Sequence, residues 1–358
     1  MNIVHPDDTT QISDRPTNEI EKLENLIFMG TPDFAVPSLM LLLEKKFNVV
    51  LVVSQPDKPR GRNNIIEPTP VKKAIMEHNK KNDKIPVFQP DNINDPQSIE
   101  YIQKFAPDMI VTVAYGAYLG RTLRTICAFG AINMHPSLLP LHRGADPIRS
   151  TLLAGDEFCG ISIFFLNAKM DSGRIIAQES FKITNLTESV NKANLEDKLA
   201  NLGANSLYEA IKSLQRKKNR YNTLKNTYLP QNESKATYSR KMNKEDYICD
   251  FSLSANVFQR KVRAFSYNPG YYCYFRGLRL KILEVSLLPT KRELNNTNYE
   301  KNLASVIEIH KNEGFVIKMP QNDLLVTEVQ YEGKKRMNAW VFIIGARLQI
   351  GETLHSEL

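Results

Sequence analysis

Residues 25–54 read NLIFMGTPDFAVPSLMLLLEKKFNVVLVVS. Two short apolar runs, NLIFMG and NVVLVVS, flank VPSLMLLLEKK, a helical pattern with Pro37 near its start. Proline suits the first helical turn, where its missing N–H would have no intrahelical acceptor. The alternation continues through PVKKAIMEHNK, again opened by a proline (Pro70), and then through DMIVTVA, GAINMH and CGISIFFL. Short apolar runs separated by helices imply an α/β domain, a mostly parallel, Rossmann-like sheet with helices on its faces. Ligands in such sheets gather beyond the carboxyl ends of the strands. Those ends fall at Gly30-Thr31-Pro32, Ser54-Gln55-Pro56, Ala114-Tyr115-Gly116, Asn133-Met134-His135 and Asn167-Ala168. All five are expected to open onto one composite site. The first turn has no G-x-G-x-x-G, and Pro32 removes a backbone donor, which argues against a nicotinamide dinucleotide.

A long helix is expected over residues 188–215. Composition then changes. Between Lys212 and Lys241 stand nine basic residues and a single acid, Glu233, with many Asn and Thr, as in a basic linker. Beyond it SANVFQRKVRAFS reads as a helix, and GYYCYF, LRLKILEV, ASVIEIH, GFVIKMP and DLLVTEVQ read as short strands of a small barrel or sandwich. The expected divisions are an N-terminal extension (1–24), a catalytic domain (25–215), the linker (216–236) and a C-terminal domain (237–358).

The 358 residues suit two domains, and an apolar content of 42% suits a soluble globular chain. The first 24 residues carry six acids, unlike a secretory or mitochondrial leader, so the extension is read as loosely attached and the protein as cytoplasmic. Four scattered cysteines (127, 159, 249, 273) form no C-x-x-C pair, so buried reduced thiols and no metal are expected. No apolar run is long enough to span a membrane. The net charge of +8 favours an anionic partner, nucleic acid among them.

The chemistry concentrates in INMHPSLLPLHRGADPI, residues 132–148. A strand ending at Asn133 and His135 shows two polar side chains at a sheet edge, and Pro136, Pro140 and Pro147 stiffen the loop beyond it. Asn133 offers an amide donor, and His135 can move a proton. Asp171, in NAKMDSGRII, is the expected acidic partner. Such donors around a carbonyl oxygen suit a reaction that builds an oxyanion. With no Ser or Cys nucleophile elbow, the nucleophile must come from the substrate, which leaves acyl or one-carbon transfer. Taken singly, Asn133 reads equally as a cap, His135 as a surface residue and Asp171 as a turn former; their joint placement at strand ends is the signal.

Asn-x-His-x-Ser-Leu-Leu-Pro, then Arg-Gly, Pro-Ile and Asp-Ser-Gly, resembles the folate-dependent formyltransferases. The resemblance is strongest to the methionyl-tRNA formyltransferases. It runs through FMGTPDFAVPSL (28–39), QPDKPRGR (55–62), VAYGAYL (113–119), VRAFSYNPG (262–270) and LLVTEVQYEGKKRMNAWVFIIGARLQIGETL (324–354). It implies a Rossmann-like catalytic domain, a linker and an OB-fold-like barrel that binds tRNA. It implies transfer of a formyl group from 10-formyltetrahydrofolate to the methionine amine of initiator methionyl-tRNA, in support of translation initiation, by a monomer. Catalytic roles pass to Asn133, His135 and Asp171. Folate is expected against Val113, Ala114, Tyr115, Gly116 and Leu119, with Ser137, Leu138, Leu139, Pro140 and Asn167. The tRNA acceptor stem is expected at Lys58, Arg60 and Arg62, with further phosphate contacts from Arg260, Lys261, Arg263, Lys334, Lys335 and Arg336. Asp146 departs from the family pattern and puts an extra carboxylate where it can disturb His135; Asn63-Asn64 stand where relatives often carry lysines. Two rival readings are an enzyme acting on a small amine and an RNA-binding protein without catalysis. Deletion of 217–358 is expected to separate the first, and the intact trio of polar residues argues against the second.

Overall fold

The computed structural model describes residues 23–60, 65–183, 190–217, 225–267, 269–288 and 303–357. The extension up to residue 22 therefore lies outside the described residues. The N-terminal half contains β1 (Asn25–Gly30), α1 (Val36–Glu44), β2 (Asn48–Val53), β3 (Lys58–Arg60), β4 (Ile65–Glu67), α2 (Pro70–His78), β5 (Val87–Phe88), α3 (Pro96–Gln103) and β6 (Met109–Val113). It continues with α4 (Arg121–Thr125), β7 (Ala131–His135), β8 (Arg143–Gly144), α5 (Pro147–Ala154), β9 (Phe158–Phe165), β10 (Ile175–Lys182) and α6 (Lys192–Lys217).

Seven strands form one sheet in the order β10-β9-β7-β6-β1-β2-β5. β5, β2, β1, β6 and β7 run parallel, as the alternating pattern requires. Successive side chains on a strand face opposite ways, and here both faces are covered. In β1, Leu26 and Phe28 enter one apolar layer with Leu39 of α1 and Leu207 of α6; Ile27 and Met29 enter another with Ile102 of α3 and Leu123 of α4. Helix α6 lies close on the sheet at Gly203, where a Cβ would stand 2.4 Å from Met134 Sδ. The helix begins at Lys192 because the Asn191 side chain accepts the Asn194 N–H (3.0 Å), the N-cap arrangement that satisfies a donor lacking a helical partner.

One expectation fails. β9 runs antiparallel to β7, with Asn133 beside Phe164 and His135 beside Ser162. The end of β9 therefore lies towards the start of β7, not beside the other four carboxyl ends. Periodicity reports burial on both faces but carries no direction. The chain corrects the placement itself: after Phe165 it turns back, Phe165 N–H donating to Arg174 O (3.0 Å), and carries Asp171 towards His135.

The C-terminal half holds β11 (Tyr238–Ser239), α7 (Ala255–Phe265), β12 (Tyr271–Phe275), β13 (Leu278–Leu288), β14 (Val306–His310), β15 (Gly314–Ile317), β16 (Asp323–Tyr331), β17 (Met337–Asn338) and α8 (Ala339–Ala346). The five apolar runs become β12 to β16, an antiparallel sheet in the order β12-β13-β16-β15-β14 with β17 beside β16. The C-terminal tail joins its two edges: Thr353 bridges to Ser305, just before β14, and His355 to Tyr274 in β12. That closure makes the sheet the small barrel expected of this half and covers its free edges. The halves meet where α5 packs on α7. Arg149 Nε donates to Ala264 O (3.1 Å), and Arg260 Nη1 donates to Ala154 O (3.2 Å). Among the described residues, no helix is long and apolar enough to cross a membrane.

Candidate active site

β7 delivers Asn133 and His135 from the middle of the sheet. Asn133 Oδ1 accepts the Thr112 hydroxyl of neighbouring β6 at 2.8 Å, which leaves the Nδ2 hydrogens for a ligand. His135 is almost fully buried. Its Nε2 lies 3.0 Å from the His142 carbonyl oxygen. A carbonyl only accepts, so Nε2 carries a hydrogen and Nδ1 is the atom turned to Asp171, whose Oδ2 stands 3.7 Å away. That gap exceeds a direct hydrogen bond. Asp171 Oδ2 is fixed instead by the Gly144 N–H at 2.8 Å. His135 and Asp171 are thus brought together, and Asn133 stands two residues before His135 on the same side of β7.

The surrounding backbone is strained. Ala114 (φ 46°), His142 (φ 57°) and Asp171 (φ 48°) are left-handed non-glycine residues, and Gly116 and Gly144 have φ of 90° and 115°. Such conformations persist only where neighbours impose them, and they gather at functional sites. At Asp171, His142 and Gly144 these neighbours include the segment after α6. Gln231 Nε2 donates to Asp171 O (2.8 Å) and Gly173 O (2.7 Å). Gln231 Oε1 accepts from buried Arg143 (2.7 Å), which also pairs with Glu233 (2.7 Å). Glu233, through this hydrogen bond, keeps the Arg143 guanidinium more firmly protonated than usual. β11 adds a parallel pairing to β8, and Thr237 Oγ1 accepts the His142 N–H at 2.8 Å. Of the segment expected as a linker, Arg216 and Lys217 finish α6, residues 218–224 lie outside the described residues, and 231–236 grip the site.

Among the expected folate contacts, Val113, Tyr115, Leu119 and Leu139 are core side chains, whereas Ala114 and Gly116 are exposed. Burial pushes the Tyr115 hydroxyl up to about 12. A Cβ on Gly116 would meet only Gln55 Cγ, at 3.8 Å, so main chain is what this loop offers to a ligand. Ser137 Oγ donates to Leu141 O (2.7 Å), and Gln178 and Ser162 hold Leu139, so Ser137 to Pro140 form a fixed wall with Leu138 and Pro140 partly exposed. Asn167 forms a local turn, accepting from Lys169 N and Ser172 Oγ (3.0 and 2.9 Å). The Asp146 carboxylate, the extra charge noted in the sequence, pairs with Arg149 at the α5–α7 contact.

Lys58 is exposed on the β3–β4 ribbon together with Ile65 and Ile66; Arg60 ends β3, and Arg62 lies outside the described residues. Asp57 anchors the ribbon's base through Lys72 (2.5 Å) and Gln89 (2.7 Å). Burial pushes its carboxyl up, but these donors and the Thr69 N–H hold it below the usual carboxylate value. In the barrel half, Lys334 and Lys335 are exposed. Arg336 lies over Tyr267 (5.2 Å) and near Glu328, and Lys261 lies over Tyr271 (5.5 Å). Arg260 is bonded across to Ala154. Arg263 is half-buried, and burial together with Arg260 lowers its pKa. It lines a cavity of about 260 Å³ to which none of Asn133, His135 and Asp171 contributes. Among the described residues, no group of His, Cys, Asp or Glu is arranged to hold a metal ion.

A family model described as formyl transferase matches residues 24–211, and one described as formyl transferase, C-terminal domain, matches residues 241–347. A methionyl-tRNA formyltransferase of Kosmotoga olearia is 37% identical over 327 residues, covering 91% of this chain and 98% of the relative. The chain belongs to the methionyl-tRNA formyltransferase family. A second family member, from Staphylococcus epidermidis, is 34% identical over 325 residues, 91% of this chain and 97% of its own. The fold is shared with an N-formyltransferase from Helicobacter canadensis, solved with folinic acid and dTDP-3-aminofucose (TM-score 0.54, 18% identity, 86% of this chain and 99% of that one). It is also shared with HypX from Aquifex aeolicus bound to tetrahydrofolic acid (TM-score 0.55, 14% identity, 93% of this chain and 49% of that one).

Proposed function

We propose that this protein transfers the formyl group of 10-formyltetrahydrofolate to the α-amine of methionine on initiator methionyl-tRNA, with Asn133, His135 and Asp171 as its catalytic residues. The observation that carries the reading is an imidazole whose Nδ1 stands 3.7 Å from the Asp171 carboxylate, with the Asn133 amide two residues away on the same side of β7. The exposed main chain at Ala114 and Gly116 and the Leu138–Pro140 wall suit a flat, polar-edged ring. When bound, 10-formyltetrahydrofolate supplies the electrophilic formyl carbon. Asn133 Nδ2 donates to the formyl oxygen as it gains charge. His135 takes the proton that the attacking amine must lose and returns it to the leaving nitrogen. Asp171 places a negative charge beside the ring while it carries that proton. Preorganised groups of this kind in a water-poor site are usually the largest contribution to catalysis.

The tRNA reading rests on Lys58 and Arg60 of the β3–β4 ribbon, with Arg62 next to them in sequence, for the acceptor stem and on exposed Lys334 and Lys335 for more distant phosphates. Arg260, Lys261, Arg263 and Arg336 make internal contacts and are weaker contributors. The protein acts as a monomer in the cytoplasm in this reading; light scattering of the purified chain checks its mass. The decisive experiment incubates purified protein with 10-formyltetrahydrofolate and charged initiator or elongator methionyl-tRNA. Formylmethionyl-tRNA should form, faster with the initiator. No product at high enzyme concentration sinks the proposal. For about three phosphate contacts, apparent tRNA affinity should fall roughly fortyfold between about 50 and about 200 mM salt.

A further inference from the structure

The stretch that supplies His135 contains a second histidine, His142, which the reaction above does not use. It is buried, with its main chain at φ 57°, a conformation that a side-chain-bearing residue keeps only when held. Three contacts hold it. Its Nδ1 lies 2.8 Å from Ser150 Oγ in α5, and its Nε2 lies 2.7 Å from Asp156 Oδ2, just beyond that helix. Its N–H donates to Thr237 Oγ1 at 2.8 Å. Asp156 can only accept, so Nε2–H donates to it, and in the neutral tautomer Nδ1 takes the Ser150 hydroxyl hydrogen. The carbonyl of this clamped residue is the one that accepts the His135 Nε2 hydrogen at 3.0 Å.

We propose that His142 is a positioning residue for formyl transfer: Ser150 and Asp156 fix its ring, the ring fixes its main chain, and its carbonyl keeps the hydrogen of His135 on Nε2 with Nδ1 turned to Asp171. The bond that a histidine makes through one nitrogen decides what the other presents. This inference rests on the reading of His135 as the proton carrier. It differs from a packing role in what it predicts: loss of the ring frees the carbonyl, the His135 tautomer becomes mixed, and turnover slows without loss of substrate affinity.

The test is steady-state formylation by His142→Ala, His142→Gln and Asp156→Asn, alongside nitrogen NMR of the His135 ring in each. Groups that orient a reacting histidine are worth on the order of tenfold to a hundredfold in related settings. His142→Ala should lose about that much kcat, with KM for both substrates within about twofold, and its His135 signals should shift from the Nε2–H form. Asp156→Asn, a partly exposed change that keeps the side-chain shape, should move both readouts the same way by less. His142→Gln, which can still reach a hydrogen-bond partner, should recover part of the loss. An unchanged His135 tautomer in both His142→Ala and Asp156→Asn overturns the proposal, as does a loss expressed only in KM. If His142→Ala does not fold, Asp156→Asn alone decides by the same two readouts. Absence of any transfer by the wild type would instead defeat the reading of function, while the NMR comparison would still report whether His142 governs His135.

Discussion

Asn133 depends on Thr112 for its orientation. An amide presents either an acceptor or a donor to the site, and the Thr112 hydroxyl, shared between Asn133 Oδ1 (2.8 Å) and the Ile132 carbonyl (3.0 Å), favours the donor. Asn133→Ala should lower kcat roughly a hundredfold, the usual effect of removing one oxyanion donor. Thr112→Val keeps the shape and removes the hydroxyl that donates to Asn133 and Ile132; loss of the Asn133 bond, about 1 kcal/mol, predicts about fivefold in kcat. Both are read from formylation rates at saturating substrates. A Thr112→Val loss as large as that of Asn133→Ala would mean that the hydroxyl itself touches the substrate.

At the scale of elements, the loop between β9 and β10 governs whether Asp171 arrives. Gly173 sits where a Cβ would stand 1.6 Å from Phe165 O, so Gly173→Ala must displace the loop and should abolish activity. Gly345 in α8 meets nothing within 4 Å, and Gly345→Ala should stabilise by about 0.5–1 kcal/mol, seen as a higher melting temperature. The gripping segment yields a further contrast. Arg143 is fully buried and holds Gln231 and Glu233, so Arg143→Met should cost roughly 2–3 kcal/mol by denaturant titration. Glu233→Gln should cost under about 1 kcal/mol, because the Glu233 side chain is 58% exposed and screened by water.

At the scale of the whole molecule, the two halves share a seam rather than a tether. Arg149 spans it, bonded to Asp146 in its own half and to Ala264 in the other. Arg149→Ala leaves a carbonyl and a carboxylate without their partner, and the unfolding curve should separate into two steps as the halves lose cooperativity. The deletion of 217–358 does not isolate the barrel's contribution. It also removes Gln231 and Thr237, which hold Asp171 and His142. A small-molecule formyltransferase would lose activity on that deletion too. Ending the chain after residue 240 instead keeps these contacts and is the cleaner comparison.

The sequence by itself determined four of the five parallel strands, half of the helices labelled above, the five strands of the C-terminal sheet and which polar residues to propose as the reacting trio. Those features rest on local periods and on residue types within one strand, which a linear reading contains. Only the tertiary structure decided that β9 runs antiparallel, that Asp171 arrives on a returning loop, and that residues 231–239 belong to the site. The reason is physical: the deciding hydrogen bonds join residues 27 to 95 positions apart, and such pairs leave no periodic trace in the chain.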